Sequence, residues 1–330
     1  MGMYTKDYEE VGEIRMKLSI VVPVYFNADT LEDMYTDLKE KVFEKINCEY
    51  ELIFVNDGSG DESYQVMKKL KETDSNIRNI SLSRNFGSHA AILCGLEHMT
   101  GDCAVVKAAD MQEPSELILD MLESWKKGNN VVLAVRQERE EGFKQKYFAN
   151  LYYTLVRKMA LSNMPEAGFD IYLLDKKVVN VLSALDEKNS SLACQILWSG
   201  FKTDMVPYVR LARKVGKSRW TLAKKLRLVM DTLFSFSTVP IKAVTTVGIF
   251  SFCGAIIWAI AEIVFKLLGM IDVNGWTTLF IFNLFSFGVI MLTLGILGEY
   301  LWRTFDASRN RPPYIVEEKD SNGEHIYEEQ

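Results

Sequence analysis

The chain has 330 residues, a net charge of −6, 48% hydrophobic and 25% charged residues. A mean hydropathy of −0.01 at that charge content means that the apolar residues are concentrated in one region. The acidic balance argues against a general nucleic-acid binder, and five scattered cysteines with only three histidines leave no zinc-type spacing and fit reduced, mostly buried thiols.

The opening MGMYTKDYEEVGEIR has no apolar h-region, and Lys6 stands where a myristoylation pattern needs Ser or Thr, so residues 1–16 read as a plain extension. Next come short apolar runs: LSIVVPV (18–24), YELIFVN (50–56), IRNISLS (77–83), CAVVKAA (103–109) and NVVLAVR (130–136). Segments with apolar residues three and four apart, such as LEDMYTDLKEKVFEKI, separate them. Strand alternating with helix predicts an α/β domain over 17–220, a mostly parallel sheet with helices on both faces. Ligands of such sheets bind beyond the carboxyl ends of the strands, here Val24-Tyr25, Asn56-Asp57, Ser83-Arg84 and Ala109-Asp110.

Residues 221–242 carry apolar residues at helical spacing behind Lys224, Lys225 and Arg227, which predicts an amphipathic helix on a membrane surface or, failing that, one packed on the domain. The runs 243–269 and 276–297 are each long enough for a bilayer core of about 30 Å at about 1.5 Å per residue. The short link MIDVNG makes them a transmembrane hairpin within 243–303, with Glu262 and Lys266 spaced to pair near its tip. Ten basic residues against two acidic ones over 202–242, with Arg303, Arg309 and Arg311 after the second run, put the domain and both termini on the cytoplasmic side. Residues 304–330 form a cytosolic tail whose end, from EEKDSNGEHIYEEQ on, is acidic and is expected to be disordered.

In VNDGSGDES, Asp57 leaves a strand into a tight turn, where it serves either a nucleoside or only the turn itself. Arg84, Asn85 and Gly87 precede a helix at a place suited to phosphate. No G-x-G-x-x-G follows the first strand and no P-loop is present, which excludes the common dinucleotide and nucleoside-triphosphate motifs.

The series VPVYFNADTL, VNDGSGDES, LSRNFGSHAAILCGL, AADMQEP, RKVGKSRW, FSFSTVPIK and LGEYLWRTFDASRNRPPYIVEE resembles, in that order, family 2 glycosyltransferases of the polyprenyl-phosphate type. The match runs from about Lys17 to Glu317. The resemblance implies a GT-A-like domain and inverting transfer of one sugar from a nucleotide-diphosphate donor, most often UDP-linked, to a polyprenyl phosphate. It also implies a bacterial cell-membrane location, Mg²⁺ or Mn²⁺ as cofactor, and an oligomer. Carried over by position, Pro23, Tyr25, Asn27, Asp57, Arg84 and Ala109 line the nucleotide pocket, Asp110 and Gln112 face the metal, and Asp110 and Asp170 are catalytic. Arg213, Lys217, Ser218 and Arg219, followed by Lys224 and Lys225, would take the lipid phosphate.

Departures cluster around the donor. The usual Y-N-E reads Tyr25-Phe26-Asn27, D-D reads Asn56-Asp57, D-A-D reads Ala108-Ala109-Asp110, and Q-D-P reads Gln112-Glu113-Pro114. The chemistry tolerates a thinner shell, since the nucleophile is a phosphate oxygen, already anionic at pH 7, with little need of a general base. A Mg²⁺ or Mn²⁺ held by one carboxylate, waters and substrate phosphates is ordinary. Two other readings stay open: a silent membrane scaffold, favoured by the missing carboxylates, and a processive synthase, which would need more spans.

Overall fold

A computed structural model of the protein describes residues 16–137, 153, 154, 156–166, 168–185, 187, 190–211, 222–268 and 275–319. Among the described residues, eight strands form one sheet: β1 (Lys17–Val24), β2 (Glu49–Asn56), β3 (Ile77–Leu82), β4 (Cys103–Val106), β5 (Val131–Arg136), β6 (Phe169–Asp175), β7 (Thr203–Tyr208) and β8 (Val316–Lys319). Their order is β7-β5-β6-β4-β1-β2-β3-β8. All neighbours are parallel except β6, which runs against β4 and β5, and β8, which runs against β3. The expected mostly parallel sheet is therefore present, with β6, β7 and β8 added to the five runs read from sequence. The chain leaves β1 towards β2 on one side and returns to β4 on the other, so the crevice opens where the strand order reverses.

Helices α1 (Ala28–Leu38), α2 (Ser63–Thr73) and α4 (Leu117–Lys126) cover one face, while α3 (Ser88–Glu97), α5 (Lys176–Ala184) and α6 (Leu192–Trp198) cover the other. The spacing explains the choice of face. Leu31, Met34, Tyr35 and Leu38 recur at three and four along α1, and all four are buried against the strands. Helix α3 approaches its strands at Gly95, where a Cβ would collide with Val21.

Three helices follow: α7 (Leu222–Phe236), α8 (Val239–Leu267) and α9 (Trp276–Ser308). Within α8 and α9, the spans Val239–Phe265 and Phe282–Ser308 each contain an 18-residue stretch, of mean hydropathy 2.1 and 1.8 respectively, none of which is buried. Both are long and apolar enough to cross a membrane. The two helices touch; the link 269–274 and the side chains of Glu262 and Lys266 lie outside the described residues.

Three expectations need correction. The fourth strand ends at Val106, because Lys107 turns its side chain down beneath the loop that follows. The amphipathic helix ends at Phe236 and not at Lys242, since Pro240 fits the first turn of α8 and cannot continue a preceding helix. Its described half is packed: Thr232 is fully buried, Phe236 lies on the second core, and Arg303 of α9 bonds Asp231 at 2.8 Å. Finally, Val316–Lys319 of the acidic tail is a strand on the edge of β3. Residues 320–330 and 1–15 lie outside the described residues.

Candidate active site

The carboxyl ends of the parallel strands and the start of β6 meet along one rim, which divides into two halves. In the first, the turn after β1 is fixed by the turn after β2. The N–H groups of Phe26, Asn27 and Ala28 donate to Ser59 Oγ (3.1 Å), Ser63 Oγ (2.9 Å) and Asp61 Oδ2 (3.4 Å). The Asn27 side chain folds back to accept the Tyr25 N–H at 3.0 Å. These bonds leave the rings of Tyr25 and Phe26 exposed and packed edge to face, their centroids 4.7 Å apart. Pro23, two residues earlier, is half-buried.

Asp57 follows β2 and is 3% exposed. Its Oδ1 accepts the Phe86 N–H at 2.7 Å and its Oδ2 accepts the Gly87 N–H at 3.0 Å, so it closes the start of α3. Burial raises its pKa, against the pull of those two N–H groups and of Arg84. Gly58, at φ +64°, permits this closure: a Cβ there would lie 2.5 Å from the Arg84 carbonyl carbon. Arg84 itself is exposed, with its guanidinium over the Phe86 ring. Pro23, Tyr25, Asn27, Asp57 and Arg84 thus share one region. Ala109 does not present its side chain there, because it is buried in the first core.

The second half lies at the ends of β4 to β7. Asp110 is half-buried at the head of a turn; its Oδ1 accepts the Gln112 N–H at 3.3 Å, and Met111 stands at φ +54°. Beneath, Lys107 is 1% exposed and donates to the Glu113 carbonyl at 2.8 Å. Burial lowers the Lys107 pKa and pushes Glu113 up to about 7, the latter also through the charges of Asp110 and Asp170. Above, Arg210 Nη2 donates to Gln112 Oε1 at 2.6 Å and the Leu211 N–H donates to the Gln112 carbonyl at 2.8 Å. Asp170, second in β6, accepts from both Arg136 Nε (2.6 Å) and Arg136 Nη2, and from the Tyr208 hydroxyl at 3.1 Å. Burial works against the Arg136 cation, but Asp170 outweighs it and raises its pKa.

Arg213, Lys217, Ser218 and Arg219 lie outside the described residues, as do the side chains of Lys224 and Lys225. Sequence reading missed Lys107, Glu113, Arg136, Tyr208 and Arg210. Two of them carried a signal: a lysine closing the apolar CAVV and an arginine closing VVLAV are charges where a buried strand meets the rim.

The donor set meets the implied divalent cation only in part. Among the described residues, no group of three or more His, Cys, Asp or Glu side chains is placed to hold a metal ion. Ala108 offers no side-chain oxygen, Gln112 Oε1 accepts from Arg210, and Glu113 is turned inward. What remains fits an ion shared with substrate: Asp110, water and phosphate oxygens can fill an octahedral shell.

A family model described as Glycosyl transferase family 2 matches residues 19–182, from β1 to within α5. An uncharacterised glycosyltransferase of Bacillus subtilis, YkcC, is 38% identical over 303 residues, 92% of this chain and 94% of that protein. The chain belongs to glycosyltransferase family 2. This glycosyltransferase is also 33% identical to the prophage bactoprenol glucosyl transferase homolog of Escherichia coli and 32% identical to the bactoprenol glucosyl transferase of Shigella phage SfV. Each of these likenesses covers 91% of the chain and 98% of the relative, which the domain alone cannot supply, so they extend into the apolar helices. Among solved structures, the glycosyltransferase is similar to the mannosyltransferase PcManGT of Pyrobaculum calidifontis in complex with GDP-Man and Mn²⁺. The identity is 17% and the TM-score 0.48, covering 66% of this chain and 63% of that one.

Proposed function

We propose that this glycosyltransferase moves one sugar, with inversion, from a UDP-linked donor to a polyprenyl phosphate at the cytoplasmic face of a bacterial membrane. One observation carries the reading: two apolar helices leave the glycosyltransferase domain and the chain then returns to the same sheet as β8. Both ends of the apolar pair are thereby tied to one domain, which fits a hairpin entered and left on the same side. An acceptor with a lipid tail in the membrane and a phosphate at its surface suits that layout, and relatives named for bactoprenol support it.

In this reading the first half of the rim holds the nucleoside between the Tyr25 and Phe26 rings and the loop closed by Asp57. Asp110 would hold Mg²⁺ or Mn²⁺ together with the donor diphosphate; when bound, such an ion neutralises charge on the leaving group. Arg136, held by the Asp170 carboxylate that Tyr208 also bonds, places an oriented guanidinium–carboxylate pair in the second half. The attacking phosphate oxygen needs no proton removed at neutral pH, so Asp170 acts here by holding Arg136 and not as a base.

The test is UDP release by detergent-purified protein supplied with undecaprenyl phosphate and a panel of UDP-sugars, with Mn²⁺, Mg²⁺ or chelator. Lipid-dependent release from one donor, lost with chelator and in Asp110→Ala, is expected. Release unaffected by the lipid would remove the acceptor from the proposal, and no release with any donor would remove the UDP-sugar.

A further inference from the structure

We propose that Arg210 is a phosphate-binding residue beside the Asp110 turn, its guanidinium held in place by Gln112. It rests on the reading that donor and acceptor both carry phosphate, and it adds a residue that the resemblance does not name.

Charge pairing singles Arg210 out. Arg136 is paired with the Asp170 carboxylate, and Lys107 is 1% exposed with its ammonium turned to the Glu113 carbonyl. Arg210 is half-buried, and its Nη2 donates at 2.6 Å to Gln112 Oε1, a neutral acceptor. Among the described residues it forms no ion pair. Burial raises the Glu113 pKa, and the Arg210 charge is near enough to oppose it. Yet Glu113 Oε2 and Arg210 Nε are each buried without a hydrogen-bond partner among the described residues, so these two atoms do not meet. A partly buried cation with a neutral partner and an unmet donor is costly until an anion completes it.

The position is fixed before any ligand arrives. On one side of Arg210 the Tyr208 carbonyl accepts the Gln137 N–H at 2.9 Å; on the other the Leu211 N–H donates to the Gln112 carbonyl at 2.8 Å. The Gln112 N–H in turn donates to Asp110 Oδ1 at 3.3 Å, so a single residue joins Arg210 to Asp110. A phosphate seated at this turn meets a guanidinium whose planar fork suits two of its oxygens. Because the fork is already held, little freedom is lost on binding. Two phosphates come to this rim in the proposed reaction: the donor diphosphate and the phosphate of the lipid.

Calorimetry of the detergent-purified full chain, with Mn²⁺ present, separates the two sources. UDP is compared with uridine, and farnesyl phosphate with farnesol. Arg210→Met is expected to reduce one of the two preferences for the phosphorylated ligand about ten-fold, the worth of a charged hydrogen bond. Loss in the first pair assigns Arg210 to the donor diphosphate, and loss in the second to the acceptor phosphate. Arg210→Lys, which keeps the charge without the fork, should restore part of the preference. Gln112→Leu cuts the same tie to the turn but leaves the cation, so it should cost no more than about three-fold. Arg210→Met should still cost about ten-fold in that background. Equal losses in Gln112→Leu and Arg210→Met would make Arg210 a tie within the fold and overturn the proposal. Both preferences unchanged in Arg210→Met, or neither preference in the unmodified protein, would overturn it too. None of these readings needs turnover, so an absence of lipid-dependent UDP release counts against the acceptor reading and not against Arg210.

Discussion

Asp57 shows how a site residue can be legible in kind while one set of its partners stays hidden. A carboxylate after a strand and before a Gly-rich turn points to the rim of a sheet. It does not reveal that the two backbone N–H groups at the start of α3 already occupy it. Replacing Asp57 by Ala leaves those donors buried and unmet, at a cost of about 1–3 kcal/mol each. The variant is therefore expected to melt several degrees lower as well as to lose UDP affinity, which differential scanning fluorimetry with and without UDP would separate. Resemblance assigns Asp170 a catalytic role by position alone. The pattern could not show Arg136 and Tyr208, which come from other strands and meet Asp170 only because β6 runs between β5 and β4. Asp170→Asn keeps acceptors for Tyr208 and one Arg136 N–H but removes the charge. It should lower kcat about ten- to a hundred-fold with no change in the shape of the pH–rate profile between pH 6 and 9. A profile that loses an acidic limb would instead make Asp170 the base.

The five apolar runs foretold β1 to β5 to within a few residues because each is buried on both faces and so reads as continuous β-branched and leucine sequence. The failures have physical causes. FDIYLLD (β6) and TDMVPY (β7) carry charges within the strand, and their long-range pairing with β4 and β5 defines them. At the opposite edge of the sheet from the rim, a buried carboxylate ties three strands together. Glu51 of β2 accepts from Ser19 of β1 (2.6 Å), Arg78 of β3 (3.1 Å) and the Thr100 N–H (2.6 Å), and Lys17 lies 3.4 Å away. Burial opposes its ionisation, but the hydroxyl and amide donors outweigh it and hold its pKa at about 2, against an ordinary 4.5. A depressed carboxyl stabilises the fold above its unfolded pKa and loses that contribution as pH falls through the folded one. Stability should therefore decline from pH 4.5 towards pH 2 by up to about 3 kcal/mol from this group. Glu51→Gln should be less stable at pH 7 and flatter over the acid range, as thermal unfolding in detergent across pH 2–7 would record.

Over the whole molecule, the two long apolar helices were plain from composition, because hydropathy is a local property. Their attachment was not. The chain after α9 pairs β8 with β3, some 235 residues earlier in sequence, and no periodicity carries such a separation. Contacts besides the ladder secure the return, among them the Ser83 N–H to the Ile315 carbonyl at 3.0 Å, Lys68 to Glu318 at 3.0 Å, and the Tyr314 hydroxyl on Glu97 of α3. The strand therefore holds the same helix whose start Asp57 closes, and Glu317 and Glu318 line a pocket of about 500 Å³ with Asn56, Gly58 and Arg84. Ending the chain at Arg309 should leave the apolar pair able to enter a membrane, since neither helix is shortened by a turn. It also strips the outer edge of β3 and removes the prop beneath α3. The truncated protein should still fractionate with membranes yet melt lower, exchange amides faster over 77–87 and bind UDP several-fold more weakly. Lys68→Ala, which removes an exposed ion pair and the ammonium over the Tyr64 ring, should change stability by less than about 1 kcal/mol. Equal UDP affinity and equal exchange in the truncated protein would make β8 a passive end of the chain; the expected losses would make it the tie by which the membrane pair sets the nucleotide end of the sheet.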